Sequence, residues 1–216
     1  MKIGIIDYGV GNVRAISNAL RLIGQNSQIC ESPSLIERNH FNLLILPGVG
    51  SFDYAATQLK SKGFSEVISE HVLNKEISLL GICLGMQLLL DGSDEGNLDG
   101  LSLISGKARK FDFADTFPTL PVPHMGWSTF QNTINGSKFL HLKLVEKARF
   151  YFAHSYYAEL NSESDILSTT SYGIDFPSII GSNNICGFQF HPEKSSKAGL
   201  MLMDNYLKNL ANNEKP

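Results

Sequence analysis

Two apolar runs, "NLLIL" at 42–46 and "ISLLGIC" at 77–83, set the tightest limit on the fold. Neither alternates apolar with polar residues, so a strand made from either is hydrophobic on both faces. Such a strand is stable only in a sheet covered on both sides, the usual setting of parallel strands joined by helical crossovers. The flanking sequence supplies the crossovers. A short apolar run at 2–7 is followed by the glycine turn "YGVGN". Asn12 is placed to cap a helix, and Val13, Ile16, Leu20 and Ile23 recur at helical spacing up to Gly24. Residues 27–31 read as a second strand, 51–62 and 64–74 as helices, and 84–90 as the opening of another helix. This alternation predicts an α/β fold with an open, doubly wound, mostly parallel sheet.

Beyond residue 100 the pattern changes. Short strands are expected at 101–113, 128–133, 149–158, 166–172, 178–181 and 185–190, with "TTSYG" and "GSNN" as turn material. They read as antiparallel hairpins extending the sheet. A last helix is expected over 196–211, where Leu200, Met203, Leu207 and Leu210 share a face, and the tail "NNEKP" should fray. "GSDEGNLDG" reads as a loop, not a boundary, so residues 1–216 are expected to form one domain.

The net charge of −3 gives no electrostatic case for binding nucleic acid or an anionic membrane. Three cysteines, Cys30, Cys83 and Cys186, include no CxxC pair, which argues against a disulfide framework or zinc site and for a reducing cytoplasm. The N-terminal apolar run is too short for a signal-peptide core, and no run approaches the ~18 apolar residues of a membrane span.

Most free cysteines are inert core residues. Cys83 differs in three ways: it falls where a strand pattern becomes a helix pattern, glycines stand two residues before and after it, and the surrounding order is α/β. G-x-C-x-G has the spacing of a nucleophile elbow with cysteine in place of serine. The turn there is so tight that neighbouring side chains must be absent, and the nucleophile protrudes at a helix N-terminus, where the dipole favours a thiolate. The N–H of Leu84 is then placed to contribute to an oxyanion hole.

A cysteine nucleophile needs a base. Of six histidines (His40, His71, His124, His141, His154 and His191), His191 stands out. In "GFQFHPEKS", strand alternation puts Phe188 and Phe190 on one face and Gln189 and His191 on the other. Pro192 stops ladder pairing, and Glu193 is close enough to accept the Nδ1–H and fix the tautomer, so that Nε2 faces a thiol. "LPGVGS" at 46–51 ends a strand with glycines around Val49, a stretch able to present backbone N–H groups to an anion.

"PGVG" at 47–50, "GICLGMQLL" at 81–89 and "GFQFHPEKS" at 187–195, in this order, resemble the motifs of class I (triad) glutamine amidotransferases. "DYGVGN", "PHMGW" at 123–127 and "YFAHSYY" at 151–157 narrow the resemblance to the glutaminase subunits of imidazole glycerol phosphate synthase, in histidine biosynthesis. The resemblance covers nearly the whole chain and implies a flavodoxin-like sheet, no cofactor and no metal. It assigns Cys83 as nucleophile, His191 as base and acid, and Glu193 as the group orienting His191. It places the oxyanion hole at Leu84 and Val49, with the Val49 peptide reorienting before it donates. It lines the glutamine pocket with Gly50, Gln87, Glu95, His154, Ser155 and Tyr156, with Glu95 attracting the substrate α-ammonium. Two departures, "LDGSDEG" after "GMQLL" and Ser128 where the family more often has Asn, leave room for a paralogue serving another acceptor synthase.

Glutamine hydrolysis alone serves no synthesis, and the chain carries no P-loop and no second large α/β domain. An acceptor chain is therefore expected. The resemblance makes it a (β/α)8 cyclase subunit receiving ammonia, met at Asn12, Met125, Trp127 and Lys194.

Overall fold

The structure, a computed structural model, describes residues 1–114, 116, 117, 119–139 and 147–213. His141 and residues 214–216 of the expected fraying tail lie outside them. The first half runs β1 (Ile3–Ile6), α1 (Val13–Leu22), β2 (Ser27–Cys30), α2 (Pro33–Asn39), β3 (Leu43–Gly48), α3 (Phe52–Ser61), α4 (Phe64–Leu73), β4 (Ser78–Cys83) and α5 (Leu84–Gln87). Next come β5 (Gly92–Ser93), β6 (Gly106–Lys110), β7 (His124–Ser128), β8 (Gln131–Asn132), α6 (Ile134–Phe139), β9 (Phe150–His154) and β10 (Tyr156–Leu160). The chain ends with β11 (Ile166–Tyr172), β12 (Ile174–Ser182), β13 (Ile185–Phe188) and α7 (Ser196–Asn213).

The central sheet has eight strands in the order β2-β1-β3-β4-β13-β12-β11-β8. The first five are parallel, and β12, β11 and β8 extend them antiparallel. The apolar runs divide between two cores, as period-2 alternation requires. Ile3, Ile5, Leu43, Ile45, Leu80 and Ile82 meet residues of α1 and α7 on one face. Ile6, Leu44, Leu46 and Leu79 meet residues of α2, α3, α4 and α5 on the other. The sheet is thus doubly wound. Asn12 caps α1 by accepting the Ala15 N–H at 3.1 Å, and Gly24, at φ 76°, ends the helical stretch.

Several elements differ from the sequence expectation. Helix α2 carries no periodic signal in the sequence, since it starts at Pro33 and buries only Ile36. The helix after Cys83 stops at Gln87 rather than continuing to 90. The strand expected at 101–113 contracts to β6. The strand expected at 149–158 breaks at Ser155, so β9 pairs with β7 while β10 pairs with β6. These pairings make two small sheets beside the main one rather than further extensions of it.

Strands β3 and β4 and helix α5 cross where glycine is obligatory. A Cβ on Gly85 would lie 1.9 Å from the Leu46 carbonyl oxygen, and one on Gly81 would lie 2.6 Å from the Gly85 oxygen. Both obstacles are backbone and cannot swing aside. Gly85→Ala should therefore cost about 3 kcal/mol or more, against about 1–2 kcal/mol for Gly24→Ala, where the space is open and only the positive φ disfavours a Cβ. Urea denaturation of both variants checks this; equal losses would show that the crossing relaxes.

Candidate active site

The crossing dictates the position of Cys83. It ends β4 at φ 55° and ψ −111°, a backbone region that non-glycine residues rarely enter and that costs about 1–3 kcal/mol. The chain then turns directly into α5, whose first N–H, that of Leu84, has no acceptor within the helix. The Cys83 side chain is 5% exposed and borders a cavity of about 310 Å³. That volume is at the small end of ligand sites, about 300–1,000 Å³. A larger cleft of about 520 Å³, between α3, α4 and residues 98–101, holds no cysteine or histidine.

His191 reaches the same cavity just past β13. Its N–H donates to the Tyr151 carbonyl at 2.9 Å, and the Ser195 hydroxyl donates to its carbonyl at 2.6 Å while accepting the Tyr151 N–H at 3.0 Å. This bracket fixes the backbone, and the 3-10 turn Pro192–Lys194 folds Glu193 back beneath the ring. His191 Nδ1 lies 2.8 Å from Glu193 Oε1, with both side chains almost wholly buried. The other Glu193 oxygen is buried without a hydrogen-bond partner among the described residues. Burial alone would lower the His191 pKa, but hydrogen bonds and charge interactions with Cys83 and Glu193 outweigh it and push it up to about 9. The site thus favours the imidazolium, the proton-donating form.

The other expected pocket residues line the same cavity: Val49, Gly50, Leu84, Gln87, Glu95, His154, Ser155 and Tyr156, with Met125 and Lys194 at its edge. Two of them are occupied internally. The Gln87 amide donates to the Tyr156 carbonyl at 2.9 Å and to Gln189 Oε1 at 3.1 Å. His154 is spent on a buried polar chain. Its Nδ1 donates to the Tyr156 carbonyl at 2.8 Å, because a carbonyl can only accept. Its Nε2 must then accept from His124 Nδ1 at 3.2 Å, and His124 Nε2 accepts the Ser128 hydroxyl proton at 2.9 Å. The direction Ser128 to His124 to His154 to Tyr156 holds while both rings are neutral. Burial enforces that state, lowering His124 to about 4 and, as the largest effect, lowering His154 to about 3.

Sequence reasoning missed Gln189, whose amide donates weakly to Cys83 Sγ at 4.0 Å, and missed His124; strand alternation had placed Gln189 on the His191 face without giving it a task. Of the expected contact residues, Met125 and Lys194 line the cavity. Met125 and Trp127 are 65% and 42% exposed on β7, and Trp127 and Lys194 both pack on the Tyr151 ring. Asn12 caps α1, which packs against the 192–194 turn. Among the described residues no cluster of three or more His, Cys, Asp or Glu is placed to hold a metal ion, and no helix is long and apolar enough to cross a membrane.

A cysteine on a strained strand–helix turn, faced by a buried His–Glu pair in a doubly wound sheet, is the arrangement that thiol-dependent acyl transfer requires. Residues 4–209 match the family described as glutamine amidotransferase class-I. The chain is 45% identical over 206 residues to imidazole glycerol phosphate synthase subunit HisH 2 of Methanococcus maripaludis, covering 95% of this chain and 98% of that one. It is 41% identical over 204 residues to subunit HisH of Leptospira interrogans, covering 94% and 98%. A crystal structure of a glutamine amidotransferase shares the fold at TM-score 0.74 and 14% identity, covering 97% of this chain and 98% of that one. PurLQS from Thermotoga maritima does so at 0.70 and 16%, covering 99% of each. The chain belongs to the class-I glutamine amidotransferase family, in the branch of the HisH subunits of imidazole glycerol phosphate synthase.

Two outcomes follow from these electrostatics. Glu193→Gln removes the charge that helps raise His191, so the ring should titrate below about 9, visible in the pH dependence of its NMR shifts. An unchanged titration would mean that Glu193 does not control the ring. The His124 and His154 pKa values lie below the unfolded value of about 6.5, so their contribution to stability is present above that pH and is lost as pH falls toward 4 and 3. His124→Gln should reduce the stability lost between pH 7 and pH 5 by about 2 kcal/mol relative to wild type. Urea midpoints at the two pH values test this, and identical acid losses would contradict it.

Proposed function

We propose that residues 1–216 act as one glutaminase unit that hydrolyses L-glutamine and delivers ammonia to a (β/α)8 cyclase partner in histidine biosynthesis. The observation that carries this reading is the convergence of Cys83 and His191 on one cavity lined also by a carboxylate, Glu95, with Glu193 paired to the His191 ring behind it. The names of the relatives supply the pathway.

In the reaction, Cys83 Sγ attacks the substrate side-chain carbonyl carbon with the thiol proton already held on His191. The resulting oxyanion takes N–H groups from Leu84 and, once the peptide has turned, from Val49. Gly50, at φ 92°, gives that segment its unusual backbone path. Collapse of the intermediate breaks the C–N bond as His191 returns a proton to the leaving nitrogen, releasing ammonia and leaving a γ-glutamyl thioester. Water then attacks the thioester, giving up a proton to His191; the C–S bond breaks, and glutamate leaves with that proton still held on His191. Glu193 holds the ring and stabilises its charged form throughout. Glu95 pairs with the substrate α-ammonium, and the hydrogen-bonded ring of His154 holds the cavity wall at residues 154–156 in place.

Val49 and Met125 are exposed and line the cavity, with exposed Trp127 two residues further along β7, the kind of apolar surface a partner covers. Lys194 lines the same cavity. Ammonia that crosses directly into a docked barrel avoids protonation in bulk water.

Glutamine hydrolysis should rise by about tenfold or more on adding a histidine-pathway cyclase and its ribotide ligand. Cys83→Ala should abolish it in the complex while leaving the thermal melt within a few degrees of wild type. Full activity of the isolated chain would remove the partner-controlled gate, and turnover by Cys83→Ala would overturn the thioester route.

A further inference from the structure

The loop carrying Glu95 is held at both ends, and one of the holds is an acidic side chain outside the cavity lining. On the upstream side, the Asp94 N–H donates to the Ala108 carbonyl at 2.8 Å. The Asp94 carboxylate pairs with Lys107 at 3.0 Å and Arg109 at 3.3 Å. Buried Ser93 accepts the Glu95 N–H at 3.1 Å. On the downstream side, the Asp53 carboxylate accepts the Asn97 N–H at 3.0 Å and the Leu98 N–H at 3.1 Å. Glu95 and Gly96 span the gap between these anchors. A Cβ on Gly96 would fall 1.9 Å from Asp53 Oδ1, so a side chain there would displace the Asp53 carboxylate.

The bracing is reciprocal. Ser51, at the N-cap of α3, makes no side-chain capping bond. Glu95 Oε2 instead accepts the Phe52 N–H at 2.8 Å and caps α3 from outside. Helix α3 thus returns Asp53 to the loop that sends it Glu95. Phe52 closely follows Val49 and Gly50, so the carboxylate that meets the ligand is anchored beside the segment expected to complete the oxyanion hole. Glu95 meets Phe52 through Oε2 alone, which leaves Oε1 for a cation in the cavity it borders.

We propose that Asp53 is a positioning residue for the substrate α-ammonium: by clamping residues 97 and 98 it fixes Glu95 at the cavity, with no contact of its own to the substrate. This rests on the glutaminase reading and on Glu95 as the ammonium partner. The clamp acts on one part of the substrate only, and a general weakening of the fold would not.

The test compares L-glutamine with 4-carbamoylbutanoate, which keeps the reacting amide and lacks the α-amino group, using the chain in complex with its cyclase partner and that partner's ligand. Asp53→Ala should raise KM for glutamine by about tenfold, the scale of a misplaced charge-assisted contact, with kcat little changed. Its kcat/KM for 4-carbamoylbutanoate should equal that of wild type. Asp53→Asn, which keeps an acceptor for the loop N–H groups, should fall between. If turnover of the deaminated substrate is too slow to compare, the glutamine concentration that half-protects Cys83 from iodoacetamide replaces it. That concentration should rise about tenfold in Asp53→Ala while the unprotected alkylation rate stays the same. Equal losses on both substrates, a faster or slower unprotected alkylation, or no loss on glutamine would each overturn the proposal. A wild-type complex that hydrolyses neither amide would instead sink the glutaminase reading, and this proposal with it.

Discussion

The structure depends on a close backbone approach: the start of α5 lies against the ends of β3 and β4 with only glycine between them. Gly48, Gly81 and Gly85 meet there at distances that no side chain permits. The approach turns the chain so abruptly that Cys83 takes a positive φ. That conformation costs about 1–3 kcal/mol. Burial of Leu44, Leu46, Leu84 and Met86 around it returns about 1.5–3 kcal/mol for each side chain, so packing wins and the strain persists. The thiol is displayed because the core leaves the backbone no other route.

The site then shows how neighbours decide the chemistry of one residue type. His191 and His154 are both buried and border one cavity. His191 has a carboxylate and a thiol beside it, and its protonated form is favoured. His154 has a carbonyl and a neutral imidazole, and its protonated form is suppressed. Desolvation acts in the same direction on both; only the partners differ. One ring is equipped to carry protons and the other to hold a wall in place.

Much of this was legible in the sequence where the signal is local. The unbroken apolar runs required a doubly covered sheet, the glycine pair around Cys83 marked the turn, and the His-Pro-Glu spacing predicted a pair that the backbone brings together within two residues. What escaped was short or non-local. Helix α2 buries one apolar residue, and β7 alternates around an exposed methionine and tryptophan. The break at Ser155 came from pairing with two different sheets, which no run of residues announces. Gln189, His124 and Asp53 act through contacts spanning 106, 30 and 44 residues, and local periodicity carries no information about such partners.

The one-way order of the buried histidine chain also defines a grammar for position 128. That position must contribute a proton to His124 Nε2, and its shape matters less than its ability to donate. A hydroxyl and a carboxamide can both satisfy this, so serine and asparagine are synonyms at this position rather than a change of meaning. An aspartate of nearly the same size would bring only lone pairs when ionised. It would face a lone pair on the ring and require either a flipped tautomer or an imported proton. Divergence at this site can therefore be silent to the pocket as long as it conserves a hydrogen, something a substitution score based on size or charge would not register.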